Sequence, residues 1–232
     1  MQKETFYEWP GSQIMRRTAI PSKRRVIGNE DVLIPTDLRE WITSSDSQEI
    51  RLVIADLDFP TGKELGEFDQ RARLVWQFVI EHVKYCPDEI AQRKLDFWQF
   101  PAETLALGKG DCEDCAFLLA SLLLASGISP FCVRVVFGTL TQEDGSPVAH
   151  AWPIYKDENG GWRILESTLE KLPDEYEWPW ADYLARLNSL PRYRPEMCLN
   201  RDHVWAIGPR RTQDVTVYLA SRKRRMRSRT RC

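Results

Sequence analysis

The chain has 232 residues, 43% hydrophobic and 11% aromatic, enough for a packed core, which excludes a disordered or fibrous protein. Its formal net charge is −2, but residues 221–232 hold seven Lys/Arg and no acid, leaving 25 basic against 34 acidic residues elsewhere, a net of −9. A basic tail on an acidic body predicts a polyanion or an acidic protein surface as partner through residues 221–232.

The six cysteines show no regular disulfide spacing, and Cys112-x-x-Cys115 lacks the second close pair of a four-cysteine zinc site. Met1 to Pro10 is polar and acidic-aromatic, so no signal peptide is expected, and no run is long and apolar enough to cross a membrane. The expected home is cytoplasmic and reducing, and a virion component would be made in the same place.

Residues 1–48 alternate basic clusters with short apolar stretches, interrupted by Pro10, Pro21 and Pro35. They are expected to form an arm that packs on the domain or on a partner, with one short helix at Asp37–Trp41. Glu49–Asp56 is expected as a strand, closing an N-terminal segment at residue 64. Apolar residues at Leu65, Phe68, Ala72, Val75, Trp76, Val79 and Val83 predict a helix, which carries His82 as an ordinary helix histidine. An aromatic stretch, Asp96 to Pro101, then leads into Gly108-Lys109-Gly110.

The next stretch organises the chain. Asp111 is a good N-cap for the apolar run Phe117–Ala125, a helix that must be buried on nearly every face and that Gly127 stops. Cys112 sits on its first turn, where the helix dipole favours a thiolate. Cys115 is one turn deeper and is expected to pack. Strands are predicted at Cys132–Gly138, Val148–Tyr155 and Trp162–Glu166, the last two joined by a hairpin turn at Asp157–Gly161. That order brings His150 and Glu166 together. Further expectations are a short helix at Ala181–Leu187 in an aromatic excursion (Trp178, Trp180, Tyr183, Tyr193), and final strands at His203–Ile207 and Val215–Leu219. Residues 65–220 are thus one domain and 221–232 a disordered tail.

A thiol nucleophile needs a base for its proton and a third group to orient that base. Cys112, His150 and Glu166 follow that order on a helix and two strands. A buried helix also commonly holds an inert cysteine. His203, beside Asp202, is a rival base.

Gly110-Asp111-Cys112-Glu113-Asp114, preceded by Asp96 to Leu105 and followed by His150-Ala151-Trp152 and Glu166-Ser167-Thr168, resembles the transglutaminase-like (papain-like) cysteine peptidase superfamily of bacterial or phage type, over about residues 68–170. The resemblance implies an α+β, papain-like core in which a nucleophile helix packs on an antiparallel sheet. It implies Cys112 as nucleophile, His150 as base and later acid, and Glu166 where the family usually has aspartate. Trp98 or Gln99 would help form the oxyanion hole with the Cys112 N–H. Asp111, Glu113 and Asp114 match an acidic cluster that binds calcium in some members, although the chemistry requires no cofactor. The expected activity is a peptidase or acyl transferase on a protein or peptide substrate. The alternative is a structural or assembly protein, such as a phage virion component, that uses the fold through its arms.

Overall fold

The computed structural model describes residues 6–9, 13–17, 22–27, 32–42, 47–93, 96–142, 144–172 and 193–208, those before residue 36 as backbone only. The expected helix at 181–187, the expected strand at 215–219 and the basic tail lie outside the described residues.

Two antiparallel hairpins come first: β1 (Phe6–Trp9) with β2 (Gln13–Arg17), and β3 (Ser22–Ile27) with β4 (Val32–Asp37). A 3₁₀ turn at Leu38–Trp41 follows, capped by the Asp37 carboxylate, which accepts the Arg39 N–H. Next come helices α1 (Gln48–Asp56) and α2 (Glu67–His82), strand β5 (Lys84–Tyr85) and the single turn α3 (Asp88–Ala91). Helix α4 (Pro101–Leu107), strand β6 (Lys109–Gly110) and helix α5 (Cys112–Ala125) complete the helical half. The rest is strand: β7 (Val133–Thr141), β8 (Pro147–Lys156), β9 (Trp162–Ile164), β10 (Tyr193–Leu199) and β11 (Val204–Gly208).

The architecture is α+β. The main sheet is antiparallel in the order β1-β2-β11-β10-β7-β8-β9, so the N-terminal arm packs on the domain by pairing β2 with β11. Helix α5 packs on β7 and β8 and against α1, α2 and α4. Its residues from Cys115 to Leu123 are fully buried, as a helix apolar on every face requires. The sheet residues alternate with period two. Val135, Phe137, Ala151 and Met197 share the core with α5, while Val136, Trp152, Ile154, Cys198 and Trp205 form a second apolar cluster.

Two expectations need correction. Glu49–Asp56 is not a strand but most of α1. Ile50, Val53, Ile54 and Leu57 fall at helical spacing toward the core, Leu52 is left 57% exposed, and the Ser47 hydroxyl caps the start by accepting the Ile50 N–H. The β-branched run imitates a strand because it alternates less than it seems to when read without its cap. Conversely, β10 lies where only an aromatic excursion was expected. Pro195 hides it, since proline is tolerated in a strand at an irregularity, and the register shifts between Pro195 and Met197.

Gly138 on β7 shows how tightly that irregularity is packed. It pairs with His150 on β8 and Pro195 on β10. A Cβ there would lie 2.1 Å from the Arg194 carbonyl oxygen and 3.0 Å from Pro195 Cα, both main chain. Gly138→Ala is therefore expected to destabilise the fold by about 2–4 kcal/mol through forced displacement of β10. Urea denaturation of the variant against the parent measures this, with a loss under about 0.5 kcal/mol showing that β10 yields freely.

Candidate active site

The site begins at the turn into α5. Gly108 ends α4 in a left-handed conformation, β6 pairs in parallel with β5, and Asp111 caps α5. Asp114 fastens this start. One carboxylate oxygen accepts the Gln99 backbone N–H at 2.8 Å, and the other accepts the Gln99 side-chain amide at 2.6 Å and the Asp111 N–H at 3.2 Å. The side chain folds back over Gly110, where a Cβ would meet Asp114 Cβ at 2.6 Å. The glycine of the Gly-x-Cys pattern is thus a close-approach position. Burial, then the charge of Glu113, pushes the Asp114 carboxyl well above the ordinary carboxylate range, against the pull of its N–H partners.

Cys112 lies on the first turn of α5 and is 5% exposed. Its Sγ–H donates to Glu113 Oε2 at 3.0 Å. Tyr85, paired with Gly110 across β5 and β6, has its hydroxyl pushed up by burial and then by the charges of Cys112, Asp111 and Glu113. Cys115 is fully buried with its Sγ 3.7 Å from the Gly110 carbonyl oxygen. Burial first, then the surrounding carboxylates, raise its thiol well above the usual range, the setting of a packed cysteine.

His150 sits in β8 and is 7% exposed. Its Nε2 lies 2.9 Å from Glu166 Oε2, and its ring stacks on Trp152, two residues further along the strand. Glu166 follows β9. Its other oxygen, Oε1, accepts the Thr168 N–H at 3.1 Å and the Thr168 hydroxyl at 2.8 Å. Oε2 also accepts the Tyr193 hydroxyl at 2.8 Å, and the Glu166 carbonyl accepts the Trp76 indole N–H at 2.7 Å. Burial alone would raise this carboxyl. The attraction of His150, then hydrogen bonds from His150, Thr168 and Tyr193, outweigh burial and bring it from 4.5 to about 2.

The structure thus joins His150 to Glu166 and turns the Cys112 thiol toward Glu113. Trp98 and Gln99 have other partners. The Trp98 ring stacks on Phe137 and meets Trp41 edge-on, and its carbonyl accepts the Trp41 indole N–H. Gln99 clasps Asp114. His203 lies in the β10–β11 turn, edge-on to Trp205, and its N–H donates to Asn200. His82 is exposed, stacked on Phe78 and bonded to its carbonyl. Of the expected aromatic excursion, Trp178, Trp180 and Tyr183 lie outside the described residues.

The carboxylates form a larger cluster than the helix start alone suggests. Asp111 and Glu113 with the Cys112 sulfur, Asp88 with Asp111 and Asp114, and Asp88 with Asp96 and Glu113 each bring their ligand atoms within 4.8 Å of one another. Asp88, at the start of α3, and Asp96 were not legible as members, because only tertiary folding brings their segment to α5. Packed hard oxygen donors of this kind fit a divalent cation such as calcium. The five described cysteines are free thiols, and among the described residues no helix is long and apolar enough to cross a membrane.

No curated protein sequence matches the chain significantly. Among solved structures, Legionella pneumophila LapG is similar at 20% identity over 68% of this chain and 78% of that one, with a TM-score of 0.46. EGTA-treated LapG from the same organism matches at 20% identity and a TM-score of 0.43, over 62% of this chain and 72% of the other. Calcium-bound LapG matches at 19% identity and a TM-score of 0.41, over 68% and 85%. The family model of the transglutaminase-like superfamily matches residues 57–167, a span that runs from the end of α1 through the cysteine helix and the histidine strand to Ser167. The segment that sets its cysteine at the tip of a buried helix and its histidine on the adjoining antiparallel sheet, residues 57–167, is thus similar to the transglutaminase-like superfamily.

Proposed function

We propose that the protein is a cysteine-dependent amide hydrolase or acyl transferase that acts on a protein or peptide substrate through Cys112, His150 and Glu166. The observation that carries this is the 2.9 Å contact between His150 Nε2 and a Glu166 carboxylate held by three further hydrogen bonds. A carboxylate on Nε2 fixes the tautomer and leaves Nδ1 as the nitrogen that can exchange a proton with a thiol. The Cys112 sulfur attacks the amide carbon, a C–S bond forms, and the thiol proton passes to His150 and then to the departing amine as the C–N bond breaks. Water, deprotonated by His150, then splits the thioester into acid and thiol, or a primary amine takes the acyl group. For the first transfer the thiol must leave Glu113 for His150. The first-turn amides of α5 supply positive potential for the developing oxyanion.

Asp111, Glu113 and Asp114, with Asp88 and Asp96, are proposed to hold a divalent cation, calcium by the chemistry of the donors. When bound it would supply positive charge among otherwise crowded carboxylates.

Three outcomes are expected. Labelling of Cys112 by iodoacetamide, followed by peptide mass spectrometry, should be rapid well below the ordinary thiol pKa of about 8.5 and should lose that low-pH reactivity in His150→Ala. An ordinary thiol profile, identical in both proteins, would sink the triad. Once a substrate is found, His150→Ala should lower kcat/KM by roughly 10²- to 10⁴-fold.

Glu166 carries a depressed pKa in the folded state. Its contribution to stability is therefore complete above about 4.5 and is lost as pH falls toward about 2. Urea unfolding at several pH values should show a flatter acid slope in Glu166→Gln across that window, and parallel slopes would contradict the assignment.

Calcium should raise the melting temperature by about 5–10 °C at a hundred times its dissociation constant, reversed by a chelator and weakened in Asp88→Asn. A melting temperature indifferent to calcium would remove the cation from the proposal.

A further inference from the structure

We infer that Tyr193 is a positioning residue of this site: its hydroxyl pins Glu166 Oε2 so that the carboxylate stays aimed at His150 Nε2. This role rests on the triad proposed above and extends it to a residue on a different part of the sheet. Tyr193 opens β10, which is separated from β8 by β7. In the main-chain register it stands opposite Leu140, one pair away along the same face from Gly138, the partner of His150. Two strand spacings separate β10 from β8, about 10 Å, a gap that the tyrosine and glutamate side chains close together. Its ring packs edge-on against the fully buried Trp152 with centroids 5.1 Å apart, and lies 6.3 Å from the His150 ring. The phenol is thus wedged by the residue on which the imidazole stacks, and its oxygen reaches Glu166 at 2.8 Å.

The need for such a pin follows from the side chain that occupies the position. Glutamate has one more rotor than aspartate, and its terminal torsion is broad and roughly two-fold. Thr168 supplies both of its hydrogen bonds to Oε1. The hydrogen bonds to Oε2 come from His150 and Tyr193. Without the phenol, Oε2 is held by the imidazole that it is meant to orient, and the carboxylate can rotate about the Thr168 contacts. A phenol also suits the task because it is a neutral donor. It fixes the oxygen and leaves the negative charge for the imidazolium.

The test uses the full chain with Tyr193→Phe, which keeps the ring on Trp152, and combines it with His150→Ala in a double-mutant cycle. The first readout is the rate of Cys112 labelling by iodoacetamide at fixed pH. The second is the side-chain N–H signal of His150 in protein labelled with ¹⁵N-histidine. Tyr193→Phe should slow labelling about tenfold, the size of one hydrogen bond to a charged group, when His150 is present, and should leave it unchanged in the His150→Ala background. It should also shift or broaden the His150 N–H signal while the thermal midpoint stays near that of the parent. An equal slowing in both backgrounds would mean a merely structural effect and would overturn the role, as would an unmoved imidazole signal. If His150→Ala alone leaves labelling at the parent rate, the triad itself fails, and the imidazole signal then decides whether Tyr193 orients the pair.

Discussion

A helix that is apolar on every face can be stable only where it is covered on every face, and the rest of this molecule satisfies that requirement for α5. The sheet covers it through β7 and β8, and α1, α2 and α4 close the remaining sides. The polar end then has one place to be, the rim where α4, β6 and the sheet meet. Asp114 turns this end into a fixed point. By accepting the Gln99 backbone, the Gln99 side chain and the Asp111 N–H, it ties the segment before α4 to the first turn that carries Cys112. Core packing and the placement of the thiol are therefore one constraint. Gly110 must be small because Asp114 folds over it, and Asp114 is there because two segments have to be joined.

The opposite side of the site is organised by Glu166. Its carboxylate takes four donations, two on each oxygen, and its carbonyl takes a fifth from Trp76 on α2. That saturation explains how a buried carboxyl stays ionised, since the donors and the neighbouring His150 overcome the desolvation that burial imposes. It also anchors both oxygens of a side chain that is one methylene longer than aspartate.

Much of this was legible in the sequence where the signal is local. The α5 start shows as a cap, a thiol and an apolar run. The β8–β9 hairpin shows as Asn159-Gly160-Gly161 between β-rich stretches, and that hairpin suffices to bring His150 near Glu166. The failures are equally local in origin. The Val53-Ile54 pair raised strand character in a segment whose Ser47 cap and spaced apolar residues make it helical. Pro195 masked β10, although a bulge accommodates it. What no local pattern carries is the joining of distant segments. Asp88 and Asp96 reach the helix tip only because β5 pairs with β6, which brings the chain before α3 beside α5. Tyr193 reaches Glu166 across β7, 27 positions later in the chain.

The two halves of the site differ in how their charges are balanced, and this bears on how the thiol is held. Glu166 is matched by an imidazole and three neutral donors. Across the site, Asp88, Asp96, Asp111, Glu113 and Asp114 crowd together, and burial with mutual repulsion pushes at least Asp114 toward its neutral form. A carboxylate in that crowd is a ready hydrogen-bond acceptor, and Glu113 accepts from the Cys112 thiol. The same group opens the helix with favourable negative charge. The acidic helix tip, with the Cys112 thiol bonded to Glu113, and the histidine strand, with its imidazole bonded to Glu166, thus hold their charges by opposite means.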